Sequence, residues 1–214
     1  MTNIDEIIEG IDQRLDATNQ AREAVLALSR HIVQKASAVI RAAHRHEWEV
    51  AATTLDEATA LVAQMRQQTE AQQELFWAGY TQDALKEYAE AHLTLALIRE
   101  GPLPTPRAIL VEEAAYLNGL AEAASELRRH ILDLVRRDDY AQAGRLLNVM
   151  EEIYSRLITI DYPHAITQNL RRTTDQLRGV LERTRGDLTL TMKQHELQHA
   201  LAQFEARATE KRNG

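Results

Sequence analysis

The sequence predicts an all-α protein, and three observations carry that expectation. Apolar residues recur at three- and four-residue spacing along most of the chain, and no segment alternates as a half-buried strand would. Only eight Gly and four Pro punctuate the 214 residues, so breaks are few. The apolar 44% is rich in Ala and Leu, with aromatics at only 5%, which suits packing of helix against helix.

Seven helices follow from the periodicity and its interruptions. The first spans about 4–45, opened by Thr2 or Asn3 with acids in its first turn. The second covers about 47–69 and the third 71–99. Three of the four prolines then fall in "GPLPTP" (101–106), the clearest loop. The fourth helix runs about 106–137, where "RRDDY" breaks it, and the fifth 139–160. Pro163 separates the fifth from a sixth at 163–185. Gly186 reads as a C-cap, with Asp187 opening a seventh helix at 187–208. Residues 1–208 are thus expected to form a single helical domain, and 209–214 a disordered tail. No repeat of the length of a helical solenoid unit is found.

Composition narrows the functional classes. The length allows one large domain with a real core. The chain has no cysteine, which excludes disulfides and thiolate metal sites and fits a reducing, cytoplasmic setting. The acidic opening "MTNIDEIIEGIDQRL" does not read as a signal peptide, and no apolar run approaches the roughly 20 residues of a membrane helix. The net charge of −7 opposes nucleic-acid binding if it is evenly spread. The basic residues, however, are 21 Arg against 4 Lys, and Arg is the better phosphate fork.

The third helix poses the sharpest question. In "KEYAEAHLTLALI" (86–98), Leu85, Tyr88, Ala89, His92 and Ala96 share one face, while Asp83, Glu87, Glu90 and Thr94 form an opposite stripe. A solvated stripe accounts for that spacing. But Leu93, Leu95, Leu97 and Ile98 spread round the helix, so its second half is expected to be enclosed. Acids at the edge of an enclosed segment need partners, and a hard divalent cation such as Mg2+ or Mn2+ is a suitable one. In the fourth helix, Glu122 and Glu126 are four apart and face one way, either as a solvated stripe with a Glu126–Arg129 pair or as additions to the first pair of acids. His92, on the apolar face, reads as a hydrogen-bonded core histidine.

At these residues the chain resembles the translin family, and within it translin-associated factor X. Glu87-Tyr88-x-Glu90-Ala91 is similar to that factor's Glu-Tyr-Val-Glu-Ala segment, and Tyr116-Leu117-x-Gly119 with Glu126-Leu127 to the family's Asp-Tyr-Leu-x-Gly-Val and its downstream Glu-Leu. Leu28-Ser29-Arg30, His44-Arg45 and Arg185-Gly186 fit at the same order and spacing, so the resemblance covers about 20–190. It implies a seven-helix translin-like bundle, assembly into a closed homo-octamer, and binding of single-stranded RNA or DNA. In the factor X branch it also implies a Mg2+-dependent endoribonuclease with its acids inside the shell, where Arg can line the wall despite the net charge. The family's acid in the fifth helix is replaced by Ser155, and Glu152, one turn back, is the candidate substitute.

The expected site is therefore Glu87, Glu90 and Glu126 as catalytic acids, with Glu122 and Glu152 as further ligands of Mg2+ or Mn2+. Arg129, Arg171 and Arg172 are candidates to clamp the nucleic-acid backbone. The alternatives are a non-catalytic translin-like binder of single-stranded RNA or DNA and a helical protein–protein scaffold. "HELQH" (195–199) matches a zinc-protease pattern, but a third ligand would have to be Glu205 or Glu210 in the tail, and no strand is predicted to align a peptide. His195 and His199 are read as an exposed polar face. His44 and His46 in "HRHEW" fall on different faces of their helix and do not form a joint site.

Overall fold

A computed structural model describes residues 3–213, with side chains through Thr209. Its helices are α1 (Ile4–His44), α2 (Trp48–Thr69), α3 (Gln73–Phe76), α4 (Gly79–Ile98), α5 (Glu113–Val135), α6 (Tyr140–Leu157), α7 (His164–Thr167) and α8 (Leu170–Asn213). No strand occurs among the described residues.

Among the described residues six long helices and two single turns replace the expected seven, and each difference has a local cause. The expected third helix breaks at Trp77–Ala78. Thr81 Oγ1 and Gln82 Nε2, in the first turn of α4, donate to the Leu75 and Phe76 carbonyls at 2.7 and 2.8 Å, satisfying the end of α3. The expected fourth helix starts at Glu113 rather than 106. Residues 106–112 are held out of the helix because Arg66 Nη1 donates to the Leu110 carbonyl (2.9 Å), with Leu110 at φ 57°. Gln168, at φ 53° and ψ −125°, separates α7 from α8.

The boundary expected at Gly186 does not exist. A helical glycine costs about 1 kcal/mol against alanine, and anchors on both sides oppose that. Thr184 and Leu188 are buried, Arg185 Nη2 meets Glu151 at 2.7 Å, and Arg128 Nη2 meets Asp187 at 2.7 Å. The helix runs on past residue 208, where the tail was expected, to Asn213; Gly214 lies outside the described residues. At the other end Asn3 is the N-cap without a side-chain cap bond, and Thr2 lies outside the described residues.

Side-chain contacts fix the directions. Lys35 pairs with Glu57 and Tyr88 Oη bonds Thr59 Oγ1 (2.8 Å), so α2 runs against both α1 and α4. His46 meets His130 edge-on, and the Arg99 guanidinium lies over Trp48, so the C-terminal ends of α1, α4 and α5 share one end of the bundle. Arg66 bonds both Leu110 and Glu112 and lies over Phe76, so the start of α5 returns to the start of α4. Helices α4 and α5 are therefore parallel neighbours. That arrangement needs a long connection, and the proline-rich 99–112 segment is that connection. Helix α8 runs with α5, through Thr173–Asn118 at one level and Thr184–Arg128 at another, and α6 runs against both.

The core lies around α4 and α5. Leu85, Tyr88, Leu93, Leu127 and Ile131 are almost wholly buried there, with Ile32 and Met65 from α1 and α2. The two central helices touch backbone to backbone at Gly119. A Cβ there would lie 2.9 Å from Glu90 N, 2.9 Å from Lys86 O and 3.0 Å from Ala89 Cβ. Helix propensity alone favours alanine by about 1 kcal/mol, but forcing two helix backbones apart costs about 1–3 kcal/mol. Gly119→Ala is expected to destabilise the protein in urea unfolding. Gly144→Ala on α6, where an added Cβ meets nothing within 4 Å, is expected to stabilise it slightly.

Candidate metal centre

Glu87 and Glu90 leave α4 three residues apart, on the side facing α5. Glu122 leaves α5 three residues after Gly119, so the close helix contact delivers it to the same place. One carboxylate oxygen from each of Glu87, Glu90 and Glu122 falls within 4.8 Å of the others. Glu90 is the buried member at 8% exposure; the other two are half-buried.

Three carboxylates this close cannot all ionise without a cation. Two such charges about 4 Å apart repel by about 4 kcal/mol at an effective dielectric near 20. Burial and then the charges of Glu122, Glu87 and Glu126 push the Glu90 carboxyl up to about 9, against an opposing pull from Lys86. Lys86 is the local cation. Its Nζ lies 2.5 Å from Glu122 Oε2 and 3.0 Å from Glu87 Oε1. Burial is the largest influence on the ammonium and lowers its pKa, yet Glu122 and Glu87 together outweigh it and the net direction is upward.

Glu126, one turn beyond Glu122, is outside the three-carboxylate group. Its Oε2 lies 2.7 Å from Nε2 of His44, whose side chain is 1% exposed at the end of α1. It is still near enough to contribute to the field on Glu90. Glu152 is exposed on α6, which packs on α5 and α8; it does not join the three acids, and Ser155 Oγ merely bonds its carbonyl. Arg129 is exposed on α5. Arg171 and Arg172 are exposed at the start of α8 and line a cavity of about 1370 Å³ under the α6–α8 connection, whose walls include none of the acids of α4 and α5.

His92 packs edge-on to Tyr88 with ring centroids 4.6 Å apart, and burial lowers it to about 4; its Nε2 has no hydrogen-bond partner, so it is a neutral core histidine but not a hydrogen-bonded one there. His195 packs on Tyr140 and His199 bonds Gln203; neither belongs to a metal-ligating group among the described residues. Sequence reading missed Lys86 and the His44–Glu126 pair. One signal for Lys86 was available: it is one of only four lysines, and it directly precedes Glu87.

The donor set suits a hard divalent ion. It consists of carboxylate oxygens without nitrogen or sulfur, the preference of Mg2+ or Mn2+ rather than zinc or copper. The position is already one where positive charge, as a proton and an ammonium, offsets the acids.

An all-α bundle with acids grouped between two parallel central helices defines a recognisable class. No family model matches the chain. It is 30% identical, over 186 residues, to the uncharacterized protein MJ0175 of Methanocaldococcus jannaschii, covering 86% of this chain and 82% of that protein. The crystal structure of AfC3PO is similar at TM-score 0.77 and 30% identity, over 86% of this chain and 96% of that one; AfC3PO in complex with duplex RNA gives the same values. Apo-NeC3PO, at TM-score 0.75 and 20% identity over 89% and 98% of the two chains, shares the fold. The chain belongs to the translin family, among its C3PO-like members.

The Glu90 proton links stability to pH. Unfolding returns its pKa from about 9 to the ordinary 4.5, so between those values the folded state holds the extra proton. Metal-free stability should therefore fall as pH rises through that window. Thermal unfolding in EDTA should show the decline, and Glu90→Gln should flatten it. At about pH 8 the variant should be more stable than the parent by on the order of 1–3 kcal/mol.

Proposed function

We propose that this protein is a metal-dependent endoribonuclease that hydrolyses phosphodiester bonds of single-stranded RNA, acting as a homo-oligomer. The observation that carries this reading is the convergence of Glu87, Glu90 and Glu122 between two parallel helices. RNA is favoured as the substrate because AfC3PO, 30% identical to this chain, has been solved with duplex RNA. The preference for single strands and the octameric state rest on the resemblance of the sequence motifs.

Glu87, Glu90 and Glu122 would hold Mg2+ or Mn2+. Such an ion, when bound, polarises a phosphoryl oxygen and lowers the pKa of water. The chain's own residues supply the rest. Glu90 would release its proton to solvent on loading, so that all three carboxylates could hold the ion. Lys86 must leave Glu122 and Glu87, and its ammonium is then free to meet a backbone phosphate. Glu126, held by His44, stands beside the site as an acceptor for a water proton. Arg129 is the exposed guanidinium on the same helix, and Arg171 and Arg172 offer a separate contact for the strand.

Lys86 also favours a second reading, a non-catalytic RNA binder. An ammonium already seated on two of the three acids can replace the ion permanently, and Ser155 stands where the family has an acid. Labelled RNA, single-stranded and duplex, incubated with Mg2+ or Mn2+ separates the two. Cleavage that EDTA stops is expected on single strands. Glu87→Gln or Glu90→Gln should each reduce it by at least about 100-fold, since even groups that only orient a metal ligand cost about 10- to 100-fold. Binding without cleavage by the unmutated protein would carry the second reading. Cleavage unchanged in both variants would place the activity elsewhere.

A further inference from the structure

Both terminal helices extend beyond the bundle, and each extension carries an apolar stripe that no described residue covers. No residue of α1 before Val25 is buried, yet Ile4, Ile7, Ile8, Ile11 and Leu15 recur at helical spacing and are 38–62% exposed. At about 100° per residue this stripe prolongs the side on which Val25, Ser29 and Ala36 are buried. It overlaps one edge of the bundle's core face and turns away from Leu28, Val39 and Ala42 on the other edge. No described residue of α8 after Leu188 is buried, and Leu190, Leu197, Leu201 and Phe204 are 53–70% exposed. That second stripe lies on the opposite side of α8 from buried Leu181 and Leu188. The side that continues the core face carries His195, against Tyr140.

One chain cannot pair its two arms. His44 touches Glu126, and Asp187 touches Arg128 two residues further along α5. Residue 20 of α1 lies about 36 Å back from His44, and the arm runs away from there, while the α8 arm runs on past the other end. Contiguous exposed apolar surface of this kind marks an interaction site.

Charge selects the occupant. The α1 arm carries Asp5, Glu6, Glu9, Asp12 and Asp16 against the single Arg14. Two such arms would repel each other, and so would an arm and an anionic bilayer. The α8 arm to residue 209 is balanced, with Lys193 and Arg207 against Glu196 and Glu205, and adds two histidines. The lengths also match, at about 24 Å for residues 4–20 and about 21 Å for 190–204.

We infer that the acidic α1 arm of one copy packs its isoleucine stripe along the leucine–phenylalanine stripe of the α8 arm of a neighbouring copy. The contact joins unlike surfaces at opposite ends of the bundle. It is therefore heterologous, and repetition links each copy to two neighbours, in a ring where the rotation closes and in an open filament where it does not. This goes beyond the oligomer named above by assigning a contact, and it depends on neither metal nor RNA.

The absence of cysteine makes the test direct. Ile8→Cys and Leu201→Cys would be made singly and together in the full chain. They would be oxidised without metal or RNA and read on a non-reducing gel. The expected result is monomer for each single variant, a cross-linked dimer when the two are mixed in reductant before oxidation, and a ladder of covalent multimers for the double variant. The pair Ile11→Cys and Leu197→Cys covers a shift of register. Dimers in a single variant alone, or no cross-link with either pair, would overturn the inference. Failure here leaves the RNA-cleavage result intact, and the reverse also holds.

Discussion

The contact between α4 and α5 at Gly119 is the constraint on which the rest of the structure depends. Two helix backbones approach there more closely than any side chain allows, with a built Cβ at 2.9 Å from two backbone atoms. The contact sits at the turn of α4 that carries Lys86, Glu87 and Glu90, and one turn of α5 later comes Glu122. Because the helices are parallel, successive acids on α5 climb in the same direction as those on α4. Glu126 therefore reaches His44 at the end of α1 instead of closing on Glu87. The long proline-rich connection makes the parallel arrangement possible. A short one would have turned α5 back on itself and dispersed the acids along the interface.

The fold assembles an electrostatic conflict at that point. Three carboxylates share a half-enclosed space, and the chain meets the cost with one proton and one ammonium. Neither arrangement is as good as a single compact divalent charge would be, because the proton neutralises only Glu90 and the ammonium reaches only Glu87 and Glu122. Ionisable groups enclosed at such expense beside a core built of Ala and Leu have no packing rationale. Apolar residues of similar volume would serve stability as well or better.

Much of this was legible in the sequence. The helical class, the proline loop and the enclosure of the second half of α4 follow from periodicity and proline placement, and Glu90, Thr94 and Leu95 are buried as that enclosure requires. Convergence of Glu87, Glu90 and Glu122 could be suspected from the spacing within each helix. Their mutual distance could not, because it depends on which residues of two helices face each other. For the same reason Glu126 and Glu152 could not be sorted from Glu122. Glu122 and Glu126 share one acidic stripe of α5 and Glu152 is an exposed acid of α6, and only the Gly119 contact selects one of them. Helix ends were the least legible. Gly186 carries the residue type of a cap, but the ion pairs on either side of it come from α5 and α6, which local sequence does not reveal. The apolar stripe of α1 reads the same in the sequence whether it faces core or nothing at all.

The chemistry proposed for this site requires a divalent ion in the space between Glu87, Glu90 and Glu122. The most direct measurement is anomalous diffraction from crystals of the protein soaked in Mn2+, with Glu87→Gln crystals as the control. A manganese peak bonded to oxygens of those three carboxylates is expected, with Lys86 withdrawn from Glu122, and no peak in the control. A crystal saturated with Mn2+ in which Lys86 keeps its place and the only peaks lie elsewhere would contradict it.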